Sequence, residues 1–220
     1  MDHQNQSLQD LHHIKNMMER SSRFISLSGL SGIAAGVFAL AGAWVAHSKI
    51  SLYNYENSPG FNDERGSYIF RDGTSLLINQ LVVIALLTFV AAFISSFFFT
   101  YLRSKSNGIP LWGTASIRLF WNTIIPLAVG GLFLLRCLQM EYYDLIAPGC
   151  LIFYGLALVN ASKYTLGEVK YLGYCQLILG ITNLWMIGYG LYFWAAGFGI
   201  LHIIYGLLMW FKYERASNIE

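Results

Sequence analysis

Few residues in this 220-residue chain have the chemistry to form a site, and they stand out because almost everything around them is apolar. His202 sits in a run of 41 residues, 171–211, that carries no charge. An ionisable side chain in such surroundings is a functional candidate by default, the plain alternative being a neutral imidazole bonded to a Tyr or Asn. Asn122, Pro126 and Gly130-Gly131 lie between Arg118 and Arg136. Pro126 has no N–H and crowds the carbonyl of Asn122, four residues back, so that carbonyl needs another partner. Breaks of this kind line binding cavities in transporters, although a neighbouring helix can also satisfy the freed group. Asn183, Tyr154 and Tyr205 complete the ligand-binding candidates. Asn79, Gln80, Asn160 and Gln176 can join a polar interior or act as glue between helices. Arg136 is expected to pair with Glu141 or Asp144, and an exposed pair contributes little.

Catalytic signatures are absent from the sequence. It holds no HExxH, no GxSxG, no Walker loop and no GxGxxG. His12 and His13 are adjacent and so point to different faces of a helix, which suits no metal. No catalytic residue, metal or cofactor is expected. Cys137, Cys150 and Cys175 form no CxxC pair and read as small packing groups, with Cys137 and Cys150 the one pair a hairpin could bring together.

These residues need elements to hold them, and composition says which. Hydrophobic residues make up 55% of the chain and charged residues 12%, against about 25% charged in an ordinary soluble domain. Too little polar surface remains to cover a water-soluble core of this size, whereas lipid tolerates an apolar exterior. The net charge of +2 and the lack of a basic stripe argue against nucleic acid as a partner.

About 20 apolar residues span the hydrocarbon as a helix. The reading is an all-α polytopic bundle of six transmembrane helices, at about 24–47, 76–102, 118–137, 143–162, 171–188 and 191–211. The last two come from the uncharged run, which as one helix would be about 61 Å long, twice the membrane thickness. Gly188-Tyr189-Gly190 is its natural turn. Residues 1–23 form a cytoplasmic segment with helical spacing of Leu8, Leu11, Ile14 and Met18, suited to an interfacial helix or a frayed tail. Residues 213–220 are a cytoplasmic tail. Ten Lys and Arg fall on the side of the termini and four on the other, which puts both termini in the cytoplasm. Ala41-Gly42-Ala43 resembles a signal cleavage site, but the apolar run of about 23 residues is long for a signal peptide, so the first helix is expected to be retained. Residues 48–75 read as an aromatic-rich outer loop packed over the bundle mouth, with turns at Asn57-Ser58-Pro59-Gly60 and Asp72-Gly73.

Lipid tails are as apolar as Leu, so helices associate in a membrane through close packing, which small residues permit. Ser28, Gly32 and Gly36 form such a ridge, for use within the bundle or at a homo-oligomer seam. A hairpin repeat relates helices 3-4 to helices 5-6: Ile152-Phe153-Tyr154-Gly155-Leu156 matches Ile203-Ile204-Tyr205-Gly206-Leu207 at an offset of 51. Leu127 and Gly130 match Leu177 and Gly180 at an offset of 50. Chance similarity between apolar helices is the alternative.

The stretch Glu19-Arg20-Ser21-Ser22-Arg23-Phe24-Ile25-Ser26-Leu27-Ser28-Gly29-Leu30-Ser31-Gly32 resembles the opening of an uncharacterised family of bacterial multi-pass membrane proteins. Phe120-Trp121-Asn122, Ile125-Pro126-Leu127 and the run from Gly197 to Gly206 are similar to that family too. The glycine-punctuated hairpins have a looser likeness to HdeD-type membrane proteins. The resemblance implies a bacterial inner membrane and no particular activity. The function expected is non-enzymatic binding of a small ligand or partner, in sensing or stress response. A small-solute transporter or channel with a midplane polar site is the alternative, and a membrane-embedded enzyme ranks last.

Overall fold

The computed structural model describes residues 28–56, 66–106 and 113–215, with residues 56, 66–75 and 214–215 described by backbone alone. Among the described residues the chain is all helix, with no strand. The helices are α1 (Gly29–Glu56), α2 (Gly66–Ser106), α3 (Thr114–Gln139), α4 (Ile146–Ala161) and α5 (Val169–Trp185). The last rod, α6, joins α-helical Gly190–Trp194, a wider π-helical segment Ala195–Leu201, α-helical His202–Trp210 and a second π segment Phe211–Arg215. Among the described residues five helices, all but α5, are long and apolar enough to cross a membrane. The N-terminal segment 1–23 and the turn Asn57-Ser58-Pro59-Gly60 lie outside the described residues.

The connection between the first two helices is shorter than expected. Helix α1 runs on to Glu56 and α2 begins at Gly66, so most of 48–75 is helical, Asp72-Gly73 included. A lone helical glycine costs only about 1 kcal/mol relative to alanine, too little to end a helix otherwise carried through. The uncharged run is interrupted as expected: α5 ends at Trp185, α6 begins at Gly190, and Gly188 takes φ 88 between them.

The described residues group into two units, Ser28 with those of 99–187, and those of 29–98 with those of 188–220. In the second, α1 and α6 lie antiparallel at very close range. A Cβ on Gly29 would come within 2.5 Å of the Gly206 carbonyl oxygen and the Trp210 nitrogen, and one on Gly36 within 2.6 Å of Ile203 Cγ1. Gly32 lies between them, against the Gly206 backbone. The small-residue ridge of the sequence is therefore a seam within the chain, with Gly29 doing the work expected of Ser28, which is also buried. On another side α1 meets α2: a Cβ on Gly42 would overlap the Thr88 side chain, and Ser96 Oγ donates to the Ser31 carbonyl at 3.1 Å. In the first unit, Gly130 of α3 faces Phe153 of α4, Gly149 of α4 faces Leu134 of α3, and the α4·α5 pair crosses at Gly155 and Gly173.

Burial is inverted relative to a soluble protein. Ser31, Thr88, Ser104, Thr165 and Gln176 are buried, while Leu87, Phe89, Phe93, Ile94, Leu132 and Ile178 are exposed. In water each exposed side chain of this size would forgo about 1.5–3 kcal/mol of burial, a loss that disappears in hydrocarbon. The distribution is that of a membrane protein.

The end of α3 shows a local cost. The Tyr142 N–H donates to the Cys137 carbonyl and the Glu141 N–H to the Leu138 carbonyl, the paired bonds of a Schellman cap. The residue closing that cap takes a left-handed conformation, and here it is Glu141, at φ 61. A Cβ in that region is strained, which is why glycine usually stands there. Glu141→Gly is expected to stabilise the protein by about 1 kcal/mol, seen as a higher unfolding midpoint in detergent. An unchanged or lowered midpoint would show that the Glu141 side chain offsets its backbone strain.

Candidate functional site

Pro126 stays inside an unbroken α3, so the carbonyl it frees must be satisfied from outside the helix. Asn160 of α4 does this: its Nδ2 donates to the Asn122 carbonyl at 2.9 Å. The antiparallel register that sets Gly149 against Leu134 also brings Asn160 level with Asn122. The Asn122 side chain turns the other way, its Nδ2 donating to the Arg118 carbonyl at 2.8 Å on its own helix. Thr123 Oγ1 makes the matching bond to the Leu119 carbonyl, also at 2.8 Å. Sequence identified the carbonyl that needed a partner. It gave Asn160 as one of several groups able to join helices but did not match it to this carbonyl, because the register of α3 against α4 is set by glycine contacts far along the helix.

His202 follows the π segment of α6 and is buried. Its Nδ1 lies 3.0 Å from the Gly197 carbonyl oxygen. A carbonyl only accepts, so this geometry puts the proton on Nδ1 and makes Nε2 the acceptor nitrogen. The ring stacks on Phe198, with centroids 6.1 Å apart and planes inclined by 17°. This bond runs to the backbone of its own helix. Side chains of a helix lean toward its N-terminus, which lets the ring reach back to Gly197. No sequence pattern announces the π segment, and so neither Gly197 nor Phe198 could be singled out beforehand.

Asn183, on the buried face of α5, donates from Nδ2 to the Met186 carbonyl at 3.2 Å where that helix ends. The carbonyl fixes which end of the amide is the donor. It leaves Oδ1 as a buried acceptor with no hydrogen-bond partner among the described residues. Tyr154 is half-buried on α4, and the Tyr205 hydroxyl is buried on α6. Asn122, Asn160, Tyr154 and Asn183 belong to the first unit, His202 and Tyr205 to the second.

Arg136 does not form the expected pair with Glu141 or Asp144. Its Nη1 donates to Gln139 Oε1 at 3.2 Å, one turn further along the same helix face. The helix ends at Gln139, and the left-handed Glu141 redirects the chain before either carboxylate can follow that face. All three cysteines are free thiols, so Cys137 and Cys150 are not bridged. Among the described residues, no three His, Cys, Asp or Glu side chains gather as a metal set.

The Asn160–Asn122 bond exists because of Pro126, and a double-mutant cycle reads this out. Asn160→Leu is expected to cost about 1 kcal/mol in the native chain, within the range for interhelical hydrogen bonds in membranes. In a Pro126→Ala background the restored N–H of residue 126 can take up the Asn122 carbonyl, and the same substitution should cost close to nothing. Equal costs in both backgrounds would detach Asn160 from the proline.

Compared with protein-family models, curated proteins and solved structures, the chain matches none.

Proposed function

We propose that the chain is a six-span, non-enzymatic membrane protein that binds a small ligand or partner carrying a hydrogen-bond donor. It sits in a bacterial inner membrane with both termini in the cytoplasm, where such binding would serve sensing or a stress response. The six-span count is supported by parity. The start of α1, at Gly29, lies level with the end of α6, at Gly206 and Trp210. If both helices cross, the chain begins and ends on one side, which requires an even number of crossings. The five long helices then need a sixth, and α5, with 17 residues and about 26 Å of length, is the helix available. The excess of Lys and Arg on the terminal side supports the cytoplasmic assignment.

One observation carries the binding reading. Asn122, Asn160, His202 and Asn183 each have a side-chain nitrogen bonded to a backbone carbonyl of the protein itself. Only the Asn160 bond joins two helices, the other three staying on or at the end of the residue's own helix, and a nitrogen engaged in this way is not free to hand a solute along. Asn183 keeps Oδ1 as a buried acceptor, matched to one donor group of a ligand. The transporter alternative draws on the π segment beside His202, since interrupted helices recur at transport sites.

Two measurements test these statements. Reporter fusions at the two ends should both read as cytoplasmic, and opposite readings would remove the sixth span. Purification in mild detergent followed by mass spectrometry of retained small molecules should find a species lost in Asn183→Leu. Identical retained species in both proteins would end the assignment to Asn183. Solute flux through reconstituted vesicles that is abolished by His202→Leu would replace binding with transport.

A further inference from the structure

The seam between α1 and α6 and the seam between α5 and α4 use the same atoms. A Cβ on Gly36 would lie 2.6 Å from Ile203 Cγ1 and 3.0 Å from Ile203 N, and one on Gly180 would lie 2.7 Å from Ile152 Cγ1 and 3.0 Å from Ile152 N. On the facing helices, Gly206 meets the Gly29 carbonyl and the Ile33 nitrogen, while Gly155 meets the Gly173 carbonyl and the Leu177 nitrogen. Gly29 meets the Gly206 carbonyl and the Trp210 nitrogen, and Gly173 meets the Gly155 carbonyl and the Val159 nitrogen. Every α6 residue here follows its α4 counterpart by 51 positions, and every α5 residue follows its α1 counterpart by 144. Constant offsets on both helices through three separate contacts make this one crossing built twice. The first pair joins the first and last helices of the described residues, and the second joins consecutive helices.

The copies part at one level. Where α1 has Gly32, α5 has Gln176, and where α6 has His202, α4 has Leu151. Gln176 and Leu151 are fully buried, and His202 is nearly so. Each seam therefore buries one long polar side chain at this level, but from opposite helices. The spacing reflects the difference. Around Gly29 the Cβ clearances are 2.5 Å, against 2.9 and 3.0 Å around Gly173, so the backbones lie closer where glycine stands at position 32.

We infer that Gly32 with His202, and Gln176 with Leu151, form a pairing code that makes the docking face of α1 fit α6 and the otherwise equivalent face of α5 fit α4. The glycines supply an affinity common to both seams. The code supplies the discrimination, because the wrong pairing of α5 with α6 would set Gln176 against His202, two long side chains at one level. Discrimination by building a clash into the unwanted complex is a general route to specificity. The face of α1 is thereby matched to α6 of the same chain.

The code is tested in the full-length protein by combined substitution. Gly32→Gln should lower the detergent melting temperature by roughly 5 °C, the overpacking cost for a chain of this size. His202→Leu should lower it too, through loss of the bond to Gly197. Together they recreate the Gln176/Leu151 arrangement, and the double variant should recover at least half of the combined loss. If Gly32→Gln prevents folding, the rescue is read as the return of monodisperse protein. The reverse exchange, Gln176→Gly with Leu151→His, should show the same sub-additivity in the other seam. Losses that simply add, in both seams, would overturn the code. Ligand retention governed by Asn183 is a separate readout and would stand or fall independently.

Discussion

Two helices in hydrocarbon gain nothing by hiding apolar surface from a solvent that is itself apolar, so their association depends on how closely their backbones approach. That constraint explains the positions of Gly29, Gly36, Gly155, Gly173, Gly180 and Gly206. At each of them an added Cβ would fall within 3.0 Å of a backbone atom of the facing helix. Such contacts replace side-chain interdigitation with backbone-to-backbone dispersion, and they leave the large side chains to face lipid. The exposed Phe89, Phe93 and Leu132 and the buried Ser31 and Thr88 follow from the same rule.

Close approach does not satisfy backbone carbonyls that lack an intrahelical donor, and in hydrocarbon water cannot supply one. The polar side chains at membrane depth serve this need. Asn160 covers the carbonyl that Pro126 frees at Asn122, and His202 adds a bond to the Gly197 carbonyl within the π segment. Both side chains were visible beforehand as ionisable or amide groups in apolar runs, the usual sign of a site. The bonds they make give each a structural task whether or not it also meets a ligand.

Legibility followed the range of the interaction that decides each feature. The all-helical membrane architecture and the glycine ridge of α1 depend on composition and local spacing, and both could be read. The need for a partner at Asn122 is a covalent consequence of Pro126 four residues on, and it too could be read. Which residue answers that need depends on register across α3 and α4, where a shift of one turn would bring up a different side chain. The extension of α1 to Glu56 and of α2 back to Gly66 was missed because charged and turn-forming residues suit a helix that projects past the hydrocarbon as well as they suit a loop. The left-handed Glu141 runs against residue preference, and only the cap hydrogen bonds reveal it.

The likeness of α4 to α6 marks the same boundary. Ile-x-Tyr-Gly at residues 152–155 and 203–206 makes α4 and α6 alike in sequence, because three of four positions carry the match. Nothing comparable links α1 to α5: residues 29–36 and 173–180 share only their terminal glycines. A glycine seam asks little else of its sequence, so two faces can do the same job with almost no residues in common. The positions free to differ are then the ones between the glycines, and there the chain has placed Gly32 in one copy and Gln176 in the other. Conversely, the strong Ile-x-Tyr-Gly match conceals the difference that follows from it, since Leu151 and His202 stand immediately before the shared segment and are unlike in size, polarity and hydrogen bonding. Physical equivalence and sequence similarity separate here because lipid-embedded packing fixes a few small residues strictly and leaves their neighbours to decide which helix pairs with which.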